Sequence, residues 1–210
     1  MTDGQSYKKG VLVAIIVDKV QKKKDIALAC KKLIIQKSIK DITIAEAAKT
    51  AGVGKGTIYE YFSNKDEIVF EIVNILMYEY NLLKEKRLEE ASTAKEKIKI
   101  FFYIFYTKED EDLRSIYKEF VSISLMKPDE KMMEFQTACT DRHFAWFEAI
   151  IQEGIDNNEF VPEAKKLARG LFSIGEGLFV SSEVTHSIKD VKVELNNFFD
   201  TLFNLIGVKK

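Results

Sequence analysis

Cysteine, proline, histidine and tryptophan are all scarce: 210 residues contain two cysteines, two prolines, two histidines and one tryptophan. Cys30 and Cys139 are too few for a disulfide framework and too far apart for metal-ligand spacing, which fits a reducing cytoplasm. Ten glycines and two prolines supply little turn-forming punctuation, and most sheet folds need more. No apolar stretch approaches the roughly 18 residues of a membrane span. The run Val11 to Val17, behind Lys8 and Lys9, ends at Asp18 without a small-residue cleavage site and does not read as a signal peptide. Arginine is missing altogether before residue 66.

What remains is 46% apolar and 31% charged, the profile of a soluble globular protein. The net charge of −1 argues against a wholly basic nucleic-acid binder, but it conceals a division. Residues 1–65 hold 13 lysines against six acids, a surplus of seven positive charges, whereas residues 66–210 carry a deficit of eight. The basic end is the part suited to a polyanion. Aromatics divide the other way, with 20 of 24 beyond residue 65.

Apolar spacing predicts helices over 19–36, 65–88, 93–107, 112–126, 129–156, 163–184 and 190–206, with the segment 11–17 either a short extra helix or an arm. On the 65–88 helix the apolar pattern reads Ile68, Ile72, Ile75, Leu76, Leu82 and Leu83; its length is roughly 35 Å. Asn64 stands as its cap, with Asp66 and Glu67 in the first turn where the helix dipole favours acids. Breaks fall at Lys108 to Asp112, Pro128, Asp156-Asn157-Asn158 with Pro162, and Ser187 to Asp190. Two shorter helices complete the set. Thr43-Ile44-Ala45-Glu46 is a capping box that starts one, and Gly52 ends it by taking the left-handed conformation. Another begins near Lys55, with Ile58 and Phe62 on its buried side. The expectation is an all-α chain of about nine helices: an N-terminal three-helix helix-turn-helix domain, residues 1–65, and a larger C-terminal helical bundle, residues 66–210.

The sequence from Thr43 to Ile68, and above all Ala-Gly-Val-Gly-Lys-Gly-Thr-Ile-Tyr-Glu-Tyr-Phe-Ser-Asn-Lys-Asp-Glu over 51–67, resembles the DNA-binding segment of the tetracycline-repressor (TetR) family of transcriptional regulators. The close resemblance covers residues 22–72; beyond it only helix lengths and the phrase Glu153 to Pro162 are similar. The resemblance implies that Lys55, Gly56, Thr57, Tyr59 and Tyr61 meet phosphates and base edges in the major groove, and that Thr43 and Lys65 lie against the DNA backbone. Gly54 stands where many relatives carry Ser or a longer polar residue. Glu60 either accepts from a cytosine amino group or points sideways. Without arginine the bidentate guanine contact is missing, so readout leans on Lys55, on tyrosine contacts to thymine methyls and on DNA shape.

Two recognition helices must enter successive major grooves about 34 Å apart, which implies a two-fold homodimer on a nearly palindromic double-stranded operator. Leu171, Ile174, Gly175, Leu178, Phe179 and Ser182 form one candidate interface stripe, and Leu195, Phe198, Phe199, Leu202, Phe203 and Ile206 another. The resemblance implies an intersubunit four-helix bundle there; the alternative is that a stripe faces the monomer's own core. Aromatic density makes the second domain a candidate site for a small apolar or aromatic effector, with Phe102, Tyr103, Tyr106, Tyr117, Phe120, His143, Trp146, Phe147 and Glu176 as candidate lining. Each of these also fits plain packing or surface, and His143 beside Arg142 fits a solvated face. Effector binding would tilt the 65–88 helix and release a repressor from DNA.

Catalysis is not expected. Gly54-Lys55 is followed by Gly56, and no glycine stands four residues before it in P-loop spacing. Neither HExxH nor GxSxG occurs. No cofactor, metal or membrane partner is expected, and the rival to a cytoplasmic regulator is a helical scaffold or adaptor without ligand control.

Overall fold

The computed structural model describes the backbone of residues 3–126 and 130–208, and side chains from residue 18 onward. The expected break at Pro128 lies outside the described residues. Nine α-helices are described: α1 (Asp3–Lys37), α2 (Ile44–Thr50), α3 (Lys55–Tyr61), α4 (Asp66–Glu90), α5 (Ala94–Phe101), α6 (Glu111–Met126), α7 (Glu130–Asp156), α8 (Ala164–Val184) and α9 (Val191–Ile206). Short 3₁₀ turns occupy Ile39–Asp41, Tyr103–Phe105 and Lys108–Asp110. The segment 11–17 belongs to α1. Among the described residues the only β-type pairing is an isolated antiparallel bridge between Phe160 and Gly207.

The chain divides into two compact units, one of Met1–Tyr78 with Ser115–Met126 and one of Glu79–Arg114 with Lys127–Lys210. Both α4 and α6 contribute residues to each.

In the first unit Ile26, Cys30, Ile34, Ile39, Ile42, Ile58, Phe62, Ile68 and Ile72 are all buried. Glu119 on α6 is bonded here: its Oε2 accepts from the Ser38 hydroxyl at 2.8 Å and from the Ile39 amide at 3.0 Å. Ser38 holds a φ of 61°, uncommon for a residue with a side chain, and this carboxylate fixes the chain reversal that ends α1.

In the second unit α5, α7, α8 and α9 pack around one aromatic core that includes Phe101, Phe102, Phe147, Phe160, Phe199 and Phe203. The predicted 93–107 helix is shorter, because α5 ends at Phe101. Phe102 leaves helical geometry and packs its ring 4.7 Å from Phe199 and 5.9 Å from Phe147, while Arg114 donates to the carbonyls of Ile104 and Thr107 and holds the following turns. On α4, Leu82 and Leu83 are exposed, at 51% and 55%; the buried face continues instead through Tyr80, Lys84 and Leu88. These sit four residues apart, so tertiary packing has chosen a stripe that hydrophobicity alone does not mark.

Gly52 has a φ of +67° and open space around its missing Cβ. Gly56 is helical and equally open. Gly52→Ala should therefore destabilise the protein by about 1–2 kcal/mol through backbone conformation alone. Gly56→Ala should stabilise it by up to about 1 kcal/mol. Urea denaturation followed by circular dichroism checks the opposite signs.

Candidate nucleic-acid interface

The helix-turn-helix is built by local bonds. Thr43 Oγ1 accepts from the Glu46 amide at 3.2 Å, and Glu46 Oε2 accepts from the Thr43 amide at 2.9 Å and from its hydroxyl at 3.0 Å, completing the capping box. The other carboxylate oxygen of Glu46 meets Lys37 at 2.9 Å. The Lys37 bond, followed by the two from Thr43, holds the carboxyl at about 2, so this acid stays charged and neutralised in place. Beyond α2 the Val53 amide returns to the Ala48 carbonyl at 3.0 Å and closes the turn. Helix α3 then buries Ile58 completely against the first unit. Its other side leaves Lys55, Gly56, Tyr59 and Glu60 exposed, Tyr59 at 60%, with Thr57 and Tyr61 half-buried.

Two expected phosphate contacts have roles inside the fold. The Thr43 hydroxyl is committed to its capping box. Lys65 Nζ donates to the carbonyls of Lys40 at 2.8 Å and Ile42 at 3.0 Å, tying the start of α4 to the turn between α1 and α2. Part of the lysine surplus is likewise structural: Lys23 pairs with Glu71 at 2.9 Å and lies over the Phe62 ring. Lys32, Lys40, Lys49 and Lys55 keep exposed positions. The Asn64 cap is as expected, accepting from the Glu67 amide at 3.0 Å, and Glu67 accepts in return from the Ser63 amide at 2.8 Å.

Residues 26–72, which hold the helix-turn-helix and its capping bonds, match the family model of bacterial regulatory proteins, tetR family. Over these residues the chain is a tetR-family protein. This DNA-binding transcriptional regulator is similar to the HTH-type transcriptional regulator YhgD of Bacillus subtilis, itself uncharacterized, at 27% identity over 145 residues, 68% of this chain and 74% of that protein. Its fold is similar to the crystal structure of a TetR-family transcriptional regulator from Cytophaga hutchinsonii, with TM-score 0.72, 17% identity and coverage of 92% of this chain and 98% of that one. It is also similar to FadR from Bacillus subtilis, solved with stearoyl-CoA, with TM-score 0.67, 21% identity and coverage of 87% and 98%.

The regulator's second unit gathers some of the expected effector residues and disperses others. Phe102 and Phe147 are buried in the core, Tyr103 and Tyr106 pack ring to ring at 5.6 Å, and Trp146 stands edge-on to Phe101 at 5.4 Å. Tyr117 and Phe120 belong instead to the first unit, where Phe120 meets Phe70 at 5.4 Å. Glu176 is exposed. His143 is not on a solvated face: Nδ1 lies 2.8 Å from the Cys139 carbonyl and Nε2 lies 3.0 Å from the Asn81 side-chain amide. Burial first, then the charge of Lys84, pulls its pKa to about 4, so the ring is neutral near pH 7. The carbonyl can only accept, so Nδ1 carries the proton, and Nε2 then accepts from Asn81 with its side-chain amide turned to present the NH2 group.

The expected dimer stripes are largely spent within the monomer. Leu171, Gly175, Phe179, Leu195 and Phe199 are buried in the second unit's own packing. A Cβ on Gly175 would stand 2.2 Å from the Phe102 ring, so this glycine serves close approach inside the unit. Ile174, Leu178, Phe198 and Leu202 are half-buried, and Leu167, Val184, Val193 and Leu205 are exposed around them, Leu205 at 76%.

Lys84 escaped the sequence reading, since a lysine within a charged run looks like surface. It is 3% exposed, and its ammonium lies 4.9 Å from the Tyr80 ring centre, 4.3 Å from Phe101 and 4.8 Å from Trp146. The i, i+4 register with Tyr80 and Leu88 was the available signal. Among the described residues no group of three or more His, Cys, Asp or Glu could hold a metal ion, and no helix is long and apolar enough to cross a membrane.

Burial lowers the Lys84 pKa from 10.5 to about 7. The unfolded chain therefore binds more protons between these values, and folding gains stability as pH rises through that window. Below pH 7 the penalty of the buried charge is complete. Lys84→Met should raise the urea midpoint at pH 6 by the equivalent of about 1–4 kcal/mol. The advantage over wild type should shrink steadily between pH 7 and pH 10. A variant less stable than wild type at pH 6 would contradict the account.

Proposed function

We propose that this tetR-family regulator is a homodimeric repressor, bound through α3 to a nearly palindromic operator and released when a small apolar or aromatic effector enters the second unit. The observation that carries the reading is the exposed face of α3, where Lys55, Gly56 and Tyr59 stand clear of the domain while Ile58 anchors the helix behind them. An α3 held this way suits insertion into a major groove. Thr57 and Tyr61 flank the face, and Thr43 and Lys65, beyond their structural bonds, complete the backbone contacts.

Pairing uses the apolar surface that α8 and α9 leave uncovered. Phe198, Leu202 and Leu205 lie at i, i+4 and i+7 on α9, and Leu167, Ile174 and Leu178 follow a similar line on α8. Helix α4 belongs to both compact units, so an effector that displaces it changes the spacing of the two recognition helices in the dimer. A similar fold, FadR from Bacillus subtilis, is solved with stearoyl-CoA, and that likeness supports a helical body able to hold an apolar ligand.

Fluorescence anisotropy with labelled DNA from the gene's own upstream region tests the reading. Affinity should fall steeply with salt, and Lys55→Ala should reduce it about tenfold and flatten the log–log salt slope by about one. Leu205→Glu should yield a monomer in light scattering and abolish tight binding. No retention of that DNA by the wild-type protein at low salt would favour a helical scaffold instead.

A further inference from the structure

Two hydrogen-bond donors in the second unit, Lys84 Nζ and the Tyr80 hydroxyl, have no acceptor among the described residues. Lys84 Nζ makes no hydrogen bond or ion pair among the described residues; its contacts are the faces of Tyr80, Phe101 and Trp146. The Tyr80 hydroxyl, one helical turn earlier on the same face, is buried and has no acceptor for its proton, although the Ile104 backbone lies near enough to its oxygen to favour the ionised form. The charged groups around them do not close the gap. The one acid whose field reaches Lys84 is the exposed Glu85. Asp110, whose charge is felt at Tyr80, accepts from the Thr107 hydroxyl, and Arg87 lies over the Tyr103 ring. His143 is engaged by Cys139 and Asn81.

A buried ammonium and a buried phenol, both donors, are completed by an acceptor that carries negative charge. One cation matches one anionic charge; a doubly charged phosphate would bring excess charge into apolar surroundings. The walls are aromatic, so the rest of the molecule must be apolar. We propose that Lys84 and Tyr80 receive the carboxylate of a small monocarboxylic acid whose apolar body lies against the aromatic core. The proposal rests on the effector-controlled reading above and gives its effector a chemical class.

Trp146 is the single tryptophan of the chain and forms one wall of the cage, so its emission reports directly on the site. The full-length protein is titrated with decanoate and 4-phenylbutyrate, and with their methyl esters, which keep each body and remove the charge. At least one acid should change the emission saturably and bind ten or more times more tightly than its ester. Lys84→Met should bring the acid down to the ester's affinity. Tyr80→Phe, which removes only the hydroxyl, should weaken the acid several-fold and leave the ester unaffected, and it keeps the test valid if the lysine variant does not fold. The proposal is overturned if neither acid perturbs Trp146, if acid and ester bind equally, or if both variants bind the acid as wild type does. These titrations need no DNA. A regulator that binds its operator yet shows no acid preference loses only this assignment, whereas failure on DNA with acid preference intact removes the repressor reading.

Discussion

One uninterrupted helix has to serve two cores. Helix α4 contains no glycine or proline over its 25 residues, so one helical register runs through both of its halves. A single buried stripe, Ile68, Ile72 and Val73 in the first unit and Tyr80, Lys84 and Leu88 in the second, must satisfy both. The register set by the first unit thus determines which α4 side chains enter the second. Lys84 falls on that stripe, and the more hydrophobic Leu82 and Leu83 fall off it.

The helix-turn-helix depends on the same anchoring. Helices of seven residues are not stable alone in water, because the cost of nucleation is not recovered in two turns. They persist here through bonds at their ends. The capping box starts α2, the left-handed Gly52 reverses the chain, Lys65 pins the start of α4 to the turn after α1, and Glu119 holds that turn from α6. Much of the polar chemistry of the basic domain is therefore spent on rigidity. What remains outward is a small set on α3, which suits a surface whose work is to present a few side chains in fixed positions.

The contrast between features legible in the sequence and those that were not follows sequence separation. Thr43 with Glu46, Gly52, and Asn64 with Glu67 are bonds within four residues or conformations of one residue, and residue type with spacing suffices to read them. The helix break at Phe102 depends on rings from α7 and α9, and the bonds of Glu119 reach back 81 and 80 residues; neither leaves a local mark. The α8 and α9 stripes were visible as apolar, but not which neighbour would cover them. Gly175 shows the difficulty: a small residue on an apolar stripe suits a close subunit contact, and the ring it admits is the chain's own Phe102.

Lys84 brings these strands together. A methionine there would fill similar volume without charge, and the aromatic core around it would lose only the attraction between ammonium and rings. In the folded protein the amine balances between charged and neutral near pH 7, the condition in which a nearby anion shifts it most easily toward the charged form. A carboxylate bound there, as proposed above, would convert an unpaired buried charge into a paired one and make the liganded unit more stable than the empty one. The residue that makes the empty unit less stable is also on the helix that continues to the DNA-binding unit. In the repressor mechanism proposed above, stabilising the second unit at Lys84 acts on α4 itself, the element whose position the effector has to change.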